Sequence, residues 1–322
     1  MNETMLKAVN DTNSDVYFYW GPISKPGYHK LSACIENQEN LCDTACLILT
    51  TYGGDPDAGY RIARALGHHY EKIKILIPDI CKSAGTLVCI GASELIFGDR
   101  GELGPLDIQL SKPDEMFESV SGLDILQALS ALQDQVLYSF RSYLFDIRTS
   151  SQITTKMAAE IATHLTESYI APIAAKIDPM TLGEHQRAIQ MGIDYGERLN
   201  LKSNSLKSEA LAKLVSNYPS HSFVIDRKEA RELFQSVKSP EKEEVLLYQW
   251  ARDIIESKAW PDEPIVIDLR LFFTQKEEVK DDQSFKKNEH SDEEGGYNGD
   301  PFIDKETVPE VLENKQNADT WD

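Results

Sequence analysis

Between residues 45 and 100, short apolar runs alternate with segments of helical period, and this narrows the folds open to the chain more than any other feature. Residues 45–50 (ACLILT) are apolar throughout and short enough for a strand covered on both faces. The next stretch, YGGDPDAGYRIARALGHHY, opens on turn formers and then places Ala58, Ile62, Ala65, Leu66 and His69 on one helical face. Residues 73–77 read as another buried strand, closed by Pro78-Asp79. KSAGTLVCIGAS is a turn into a helix whose small residues permit close packing, and 95–97 is a further short strand. Upstream, 16–20 is an aromatic strand ending at Gly21-Pro22, followed by a helix over about 27–38. Strand and helix in alternation predict an α/β fold with crossover connections and parallel strands.

The second half is mainly helical in pattern. Residues 122–146 form one long candidate helix, and Ile153, Met157, Ile161 and Leu165 mark another at four-residue spacing. Its apolar face is assigned to core packing, with a partner interface as the alternative. A helix over 181–200, a hinge over 202–208 and a short helix to 215 follow. HSFVID (221–226) alternates as a strand does, 227–234 is a helix, and a last helix and strand occupy 241–257 and 264–268. Residues 1–13 are expected to be a flexible polar lead-in, and 238–271 an extension of helix and strand. From about 272 the chain turns to charge. Residues 277–322 hold 15 Asp and Glu against 5 Lys, a net of −10, so 272–322 is expected to be a disordered tail available to contact a partner.

A formal charge of −20 would repel a phosphate backbone, which argues against nucleic acid as a ligand. The five cysteines (34, 42, 46, 81 and 89) form no CxxC pair and fit reduced, buried thiols, which points to the cytoplasm. MNETMLKAVN lacks a secretory pattern, and no run approaches the roughly 18 apolar residues of a membrane span. A soluble protein without direct membrane insertion is expected.

Two positions carry possible chemistry. Gly53-Gly54 lies between a buried strand and a helix, where backbone N–H groups can face an oxyanion. YGGDPDAG fits neither GxxxxGK[ST] nor GxGxxG, and Asp55 and Asp57 would repel phosphate. Ser83 stands at the predicted start of a helix, where a hydroxyl either caps the helix or serves as a nucleophile beside N–H donors.

The linked series LILTTYGGDPDAGYRIARAL, KSAG, IGASELIFG and GELGPLDIQ resembles the serine dehydrogenase proteinase family, related to signal peptide peptidase A within the Clp protease and crotonase superfold. The resemblance is strong over about 15–112 and extends more weakly to 237. It implies a core of repeated ββα units in spiral order over 14–237, with helical C-terminal additions. It also implies Ser83 as nucleophile, oxyanion donors at Gly54 and Ala84 with Gly53 shaping the approach, and a site bordered by the loop 101–109, including Gly104 and Pro105. A homo-oligomer acting on peptide or protein substrates is implied as well.

The general base departs from the pattern. Where Clp proteases place a histidine this chain has GPLDIQ, and the nearest match is Asp107. A lysine base, as in signal peptide peptidase A relatives, could come from Lys82, Lys156 or Lys176, with Lys176 preferred for its apolar context, APIAAKIDP. His221 opens a stretch resembling a C-terminal motif of the family. Asp55, Asp57, Asp99, Glu102 and Asp107 form no metal motif, so neither metal nor cofactor is expected. The leading function is peptide-bond hydrolysis through a Ser83 acyl-enzyme. The alternatives are an inactive binding scaffold and crotonase-like chemistry on an acyl thioester.

Overall fold

The computed structural model describes residues 2–38, 40–106, 109–111, 119–176, 178–220 and 222–276, without the side-chain surroundings of 109–128 and 185. In chain order the first elements are α1 (Asn2–Asp11), β1 (Asp15–Trp20), α2 (Lys25–Glu36), β2 (Thr44–Thr50), α3 (Pro56–His69) and β3 (Lys72–Ile77). Then come the two-residue β4 (Ile80–Cys81), α4 (Ala84–Ile90), β5 (Glu94–Phe97) and β6 (Glu102–Leu103). An antiparallel pair, β7 (Gln109–Ser111) and β8 (Ser119–Ser121), leads to α5 (Gly122–Ser150), α6 (Thr155–Ala174), α7 (Pro179–Ser203), α8 (Ala210–Ser216) and α9 (Arg227–Leu233). The last are β9 (Val237–Lys238), α10 (Glu243–Ser257) and β10 (Ile265–Asp268), after which 269–276 are helical.

Six strands form the main sheet in the order β10-β1-β2-β3-β5-β9, parallel throughout except that β10 runs antiparallel to β1. Strand alternation sends neighbouring residues to opposite faces. Tyr17 and Tyr19, Leu47 and Leu49, and Ile75 and Ile77 join one cluster with α2, α3 and α4. Phe18 and Trp20, Cys46 and Ile48, and Leu76 join a second with α1, α10 and Phe273. Both faces are therefore covered, which is why these strands read as unbroken apolar runs.

Several helices begin at residues whose side chains accept unpaired first-turn N–H groups. Ser24 accepts from Gly27, Asp55 from Asp57, Thr154 from Met157 and Asp178 from Met180 and Thr181. Proline at the first or second helical position of α2, α3 and α7 adds a preset φ.

Beyond their C-terminal ends, the main strands turn into a second, smaller layer. It is made by the parallel bridges Ile23↔Gly54 and Thr51↔Cys81, the pairing of β4 with β6, and the antiparallel bridge Leu103↔Ile225. Long strand, short strand and helix thus recur as ββα units, so the expected α/β class and its parallel crossovers are present.

Several expectations change. The lead-in of residues 1–13 contains α1, whose Met5, Ala8 and Val9 are buried against the α10 side of the sheet. The segment 238–271 supplies β10 to the main sheet and is part of the same core. Residues 272–276 continue a packed helix with Phe273 buried, so the tail cannot start at 272; 277–322 lie outside the described residues. HSFVID is not a strand over its described part, 222–226, where Ile225 makes an isolated bridge.

The α6 face is also different. Ala158, Ala162 and Thr166 are its buried residues, in a helix that packs against α5. Met157, Ile161, Leu165, Tyr169 and Ile173 are exposed, together with Leu137, Tyr138 and Phe145 of α5. Small residues let the two backbones approach and leave the large apolar stripe facing outward.

Candidate functional site

In a parallel sheet ligands bind beyond the carboxyl ends of the strands, and the second layer occupies that position here. Ser83 sits where β4 passes into α4, with φ +52° and ψ −114°. A non-glycine residue rarely adopts this backbone, and holding it there costs on the order of 1–3 kcal/mol. Its side chain makes no capping hydrogen bond to α4. The helix-cap explanation for this serine is therefore excluded. Buried polar neighbours frame the turn. Gly85 N–H donates to the Lys82 carbonyl at 2.8 Å and Leu87 N–H to the Ser83 carbonyl at 3.1 Å.

Gly53 and Gly54 pass directly beside this serine, with φ +112° and +139°. A Cβ on Gly53 would lie 2.8 Å from Ser83 Cβ and 3.3 Å from its Oγ. A Cβ on Gly54 would lie 2.2 Å from the Ile23 carbonyl oxygen, backbone that cannot swing aside. The parallel bridge consists of Ile23 N–H to the Gly53 carbonyl and Asp55 N–H to the Ile23 carbonyl, both 2.8 Å. That register engages the groups on either side of Gly54. The Gly54 N–H itself makes no hydrogen bond among the described residues, whereas the Gly53 N–H donates to Thr51 Oγ1 at 3.0 Å. Ala84, the first residue of α4, contributes a second such donor, since first-turn N–H groups have no intrahelical acceptor. Two backbone donors thus border Ser83 at a helix N-terminus.

The border of 101–106 is fastened to this turn. Thr86, fully buried, donates from Oγ1 to the Gly104 carbonyl at 2.8 Å. A Cβ on Gly104 would come within 3.0 Å of the Lys82 stem, and Pro105 next to it is buried. Lys82 turns away from Ser83: its ammonium pairs with Glu102 at 2.8 Å and donates to the Ser222 carbonyl at 3.0 Å. With the Leu103↔Ile225 bridge, this holds the 222–225 segment to the residue preceding Ser83. Nothing in the local sequence announces that link, because its partners lie 20 and 140 positions away.

The other candidates separate. His221 and Asp107 lie outside the described residues. Lys156 is in the first turn of α6 and Lys176 just after its end, both exposed, on a helix that packs on α5 rather than α4. The apolar context expected of Lys176 is not its environment. Asp55 caps α3, Asp57 accepts a hydrogen bond from Tyr195 at 2.6 Å, Asp99 pairs with Arg227 and Glu102 with Lys82. Among the described residues no cluster of His, Cys, Asp and Glu could hold a metal ion. Burial raises Asp79 from its ordinary value, with the charge of Glu102 adding to it. Burial also pushes the Cys81 thiol well up, and its Sγ lies 3.8 Å from that of Cys89, so this thiol two residues before Ser83 is held protonated.

Among known proteins, residues 40–195 match the family described as ClpP-like SDH-type serine proteinase. Two uncharacterized proteins of Methanocaldococcus jannaschii are each 36% identical over 66 residues, 20% of this chain and 23% of theirs. The chain thus spans about a quarter of the length of these curated relatives. Among solved structures, ClpP1 from Listeria monocytogenes matches at 14% identity and a TM-score of 0.27, over 32% of this chain and 58% of that one. The 1510-N membrane-bound stomatin-specific protease matches at 17% identity and a TM-score of 0.30, over 46% and 69%.

Proposed function

We propose, on the match of residues 40–195 to the ClpP-like SDH-type serine proteinases, that the chain is a serine peptidase in which Ser83 forms an acyl-enzyme. The observation that carries this reading is the Ser83 backbone, strained, beside two glycines and without a helix-capping role for its side chain. Ser83 Oγ attacks the peptide carbonyl, and the N–H groups of Gly54 and Ala84 stabilise the oxyanion. The amine leaves with a proton, and water then releases the acyl group. Gly53, Gly104 and Pro105 shape the approach.

His221 is the favoured general base, because its chain neighbour Ser222 is held by Lys82, the residue adjacent to Ser83. Lys82 is a positioning residue in this scheme, its ammonium committed to Glu102. Asp107, Lys156 and Lys176 are the alternatives. Protonated histidine cannot accept a proton, so an imidazole base makes kcat/KM rise from acid toward neutral pH. Replacing His221 by alanine should abolish that limb and lower kcat by about 10²- to 10⁴-fold, with Lys156→Ala and Lys176→Ala near the parent rate. The reverse ranking in a pH-rate series would move the base to a lysine.

The deciding experiment is intact-mass analysis after treatment with a fluorophosphonate. A single adduct at Ser83 is expected; its absence on the folded, assembled protein would leave a binding scaffold, or a thioester site, as the better reading.

We assign the outward stripe of α5 and α6 to the homo-oligomer interface. Light scattering should show that Ile161→Asp with Leu165→Asp reduces the assembled mass, while neither buried layer is touched. An unchanged mass would place the subunit contact elsewhere. Among the described residues no helix is long and apolar enough to cross a membrane. The cytoplasm is the compartment proposed, on the free cysteines.

A further inference from the structure

Tyr52 lies between two buried residues, Thr51 and Gly53, yet is 56% exposed. The inner side of this segment is occupied: the Thr51 hydroxyl bonds Gly53, and Gly53 abuts Ser83. Alternation therefore turns the Tyr52 ring outward, one Cα step of about 3.8 Å from Gly53. The ring packs against Trp260, with centroids 4.4 Å apart and planes tilted by 56°. Trp260 in turn meets Trp20 edge to face at 6.2 Å, and Trp20 is buried in β1. Two aromatic surfaces at the rim of the site are thus fixed from beneath by the core. Trp260 lies outside the segment 40–195 that matches the proteinase family, so this feature belongs to the chain's own C-terminal part.

Within three residues of either ring along the chain stand Asp55, Asp262 and Glu263 against one lysine, Lys258. Asp55 follows Tyr52 by three residues and Asp262 follows Trp260 by two; both are exposed, and neither makes an ion pair among the described residues. Glu263 is compensated by Lys30 at 3.5 Å. The whole chain carries −20. An apolar guest would gain from the rings alone, whereas a cation gains from both the ring faces and the carboxylates.

We infer that Tyr52 and Trp260 form a platform for a lysine or arginine side chain flanking the scissile bond of a polypeptide substrate. The inference deepens the peptidase reading and rests on it for the direction in which substrate crosses Ser83. Tyr52 and Trp260 select substrate and take no part in bond making.

Its test uses the Ser83→Ala protein, so that binding is read without turnover. Fluorescein-labelled peptides carry lysine or arginine at the positions flanking a central bond, or the neutral isosteres norleucine and citrulline, and are compared by fluorescence anisotropy. The basic peptides are expected to bind about 10-fold more tightly than their isosteres. Tyr52→Leu and Trp260→Leu should each remove most of that difference, and Tyr52→Phe should retain it, which separates loss of the ring from loss of the fold. Equal binding of the two sets, a preference for norleucine, no binding of either, or a preference surviving both leucine variants overturns the platform. Failure of the fluorophosphonate to label the parent protein overturns the peptidase reading instead, so the two outcomes are distinct.

Discussion

Ser83→Ala is expected to lose the fluorophosphonate adduct and to lower kcat for peptide hydrolysis by at least about 10⁴-fold, because removing a covalent nucleophile leaves only oxyanion stabilisation and binding. A merely structural serine would behave differently: its removal would change the melting temperature and leave the residual activity of the preparation where it was. The backbone supplies a second measurement. At φ +52° and ψ −114° any side chain is strained, and glycine is the residue that relieves this. Ser83→Gly should therefore be as inactive as Ser83→Ala but melt about 2–4 °C higher than it, the shift that roughly 1 kcal/mol produces in a domain of this size. An alanine variant as stable as the glycine variant would mean that the strain is not held in the folded enzyme. An active alanine variant would end the case for Ser83.

Gly54→Ala is expected to lower kcat by about 10²- to 10³-fold, the loss that follows removal of one oxyanion donor. The reason is steric before it is chemical. The added methyl would stand 2.2 Å from the Ile23 carbonyl, and at φ +139° the backbone is closed to an L side chain. Either the Ile23 bridge parts or the peptide turns, and in both cases the Gly54 N–H leaves its place beside Ser83. Circular dichroism and thermal melting identify a variant that has simply unfolded. A folded Gly54→Ala protein with the parent's kcat would remove Gly54 from the oxyanion site. Gly53→Ala offers a graded comparison, because its methyl would meet the Ser83 side chain at 2.8 Å rather than a carbonyl.

These two effects concern backbone, and backbone is where reading the chain succeeded best. The strands of the main sheet were legible because both faces are covered, so that DVYFYW, TACLILT and KIKILI needed no alternation to be recognised. The glycine pair and the serine were legible as positions, through their place between strand and helix. The α6 stripe was misread for a definite reason: periodicity reports that large apolar residues share a face but not which way the face points, and here alanines and a threonine take the inner side. The first helix was missed because Met5, Ala8 and Val9 are apolar positions too sparse to stand out among polar neighbours. HSFVID alternates like a strand, but Ile225 finds a partner only as a single bridge, since pairing is decided by the neighbouring backbone.

By itself the sequence determined the α/β class, the parallel order of the central strands and the glycine and serine turns, all of which follow from local propensity and from burial on two faces. The tertiary structure alone decided what the Ser83 backbone is, that Lys82 is bound to Glu102 and Ser222, that Lys156 and Lys176 lie exposed at the two ends of α6, and that Trp260 comes to rest against Tyr52. Each of those is a contact between residues far apart in the chain or a strain held by such contacts, and no local pattern of residue types encodes a distance.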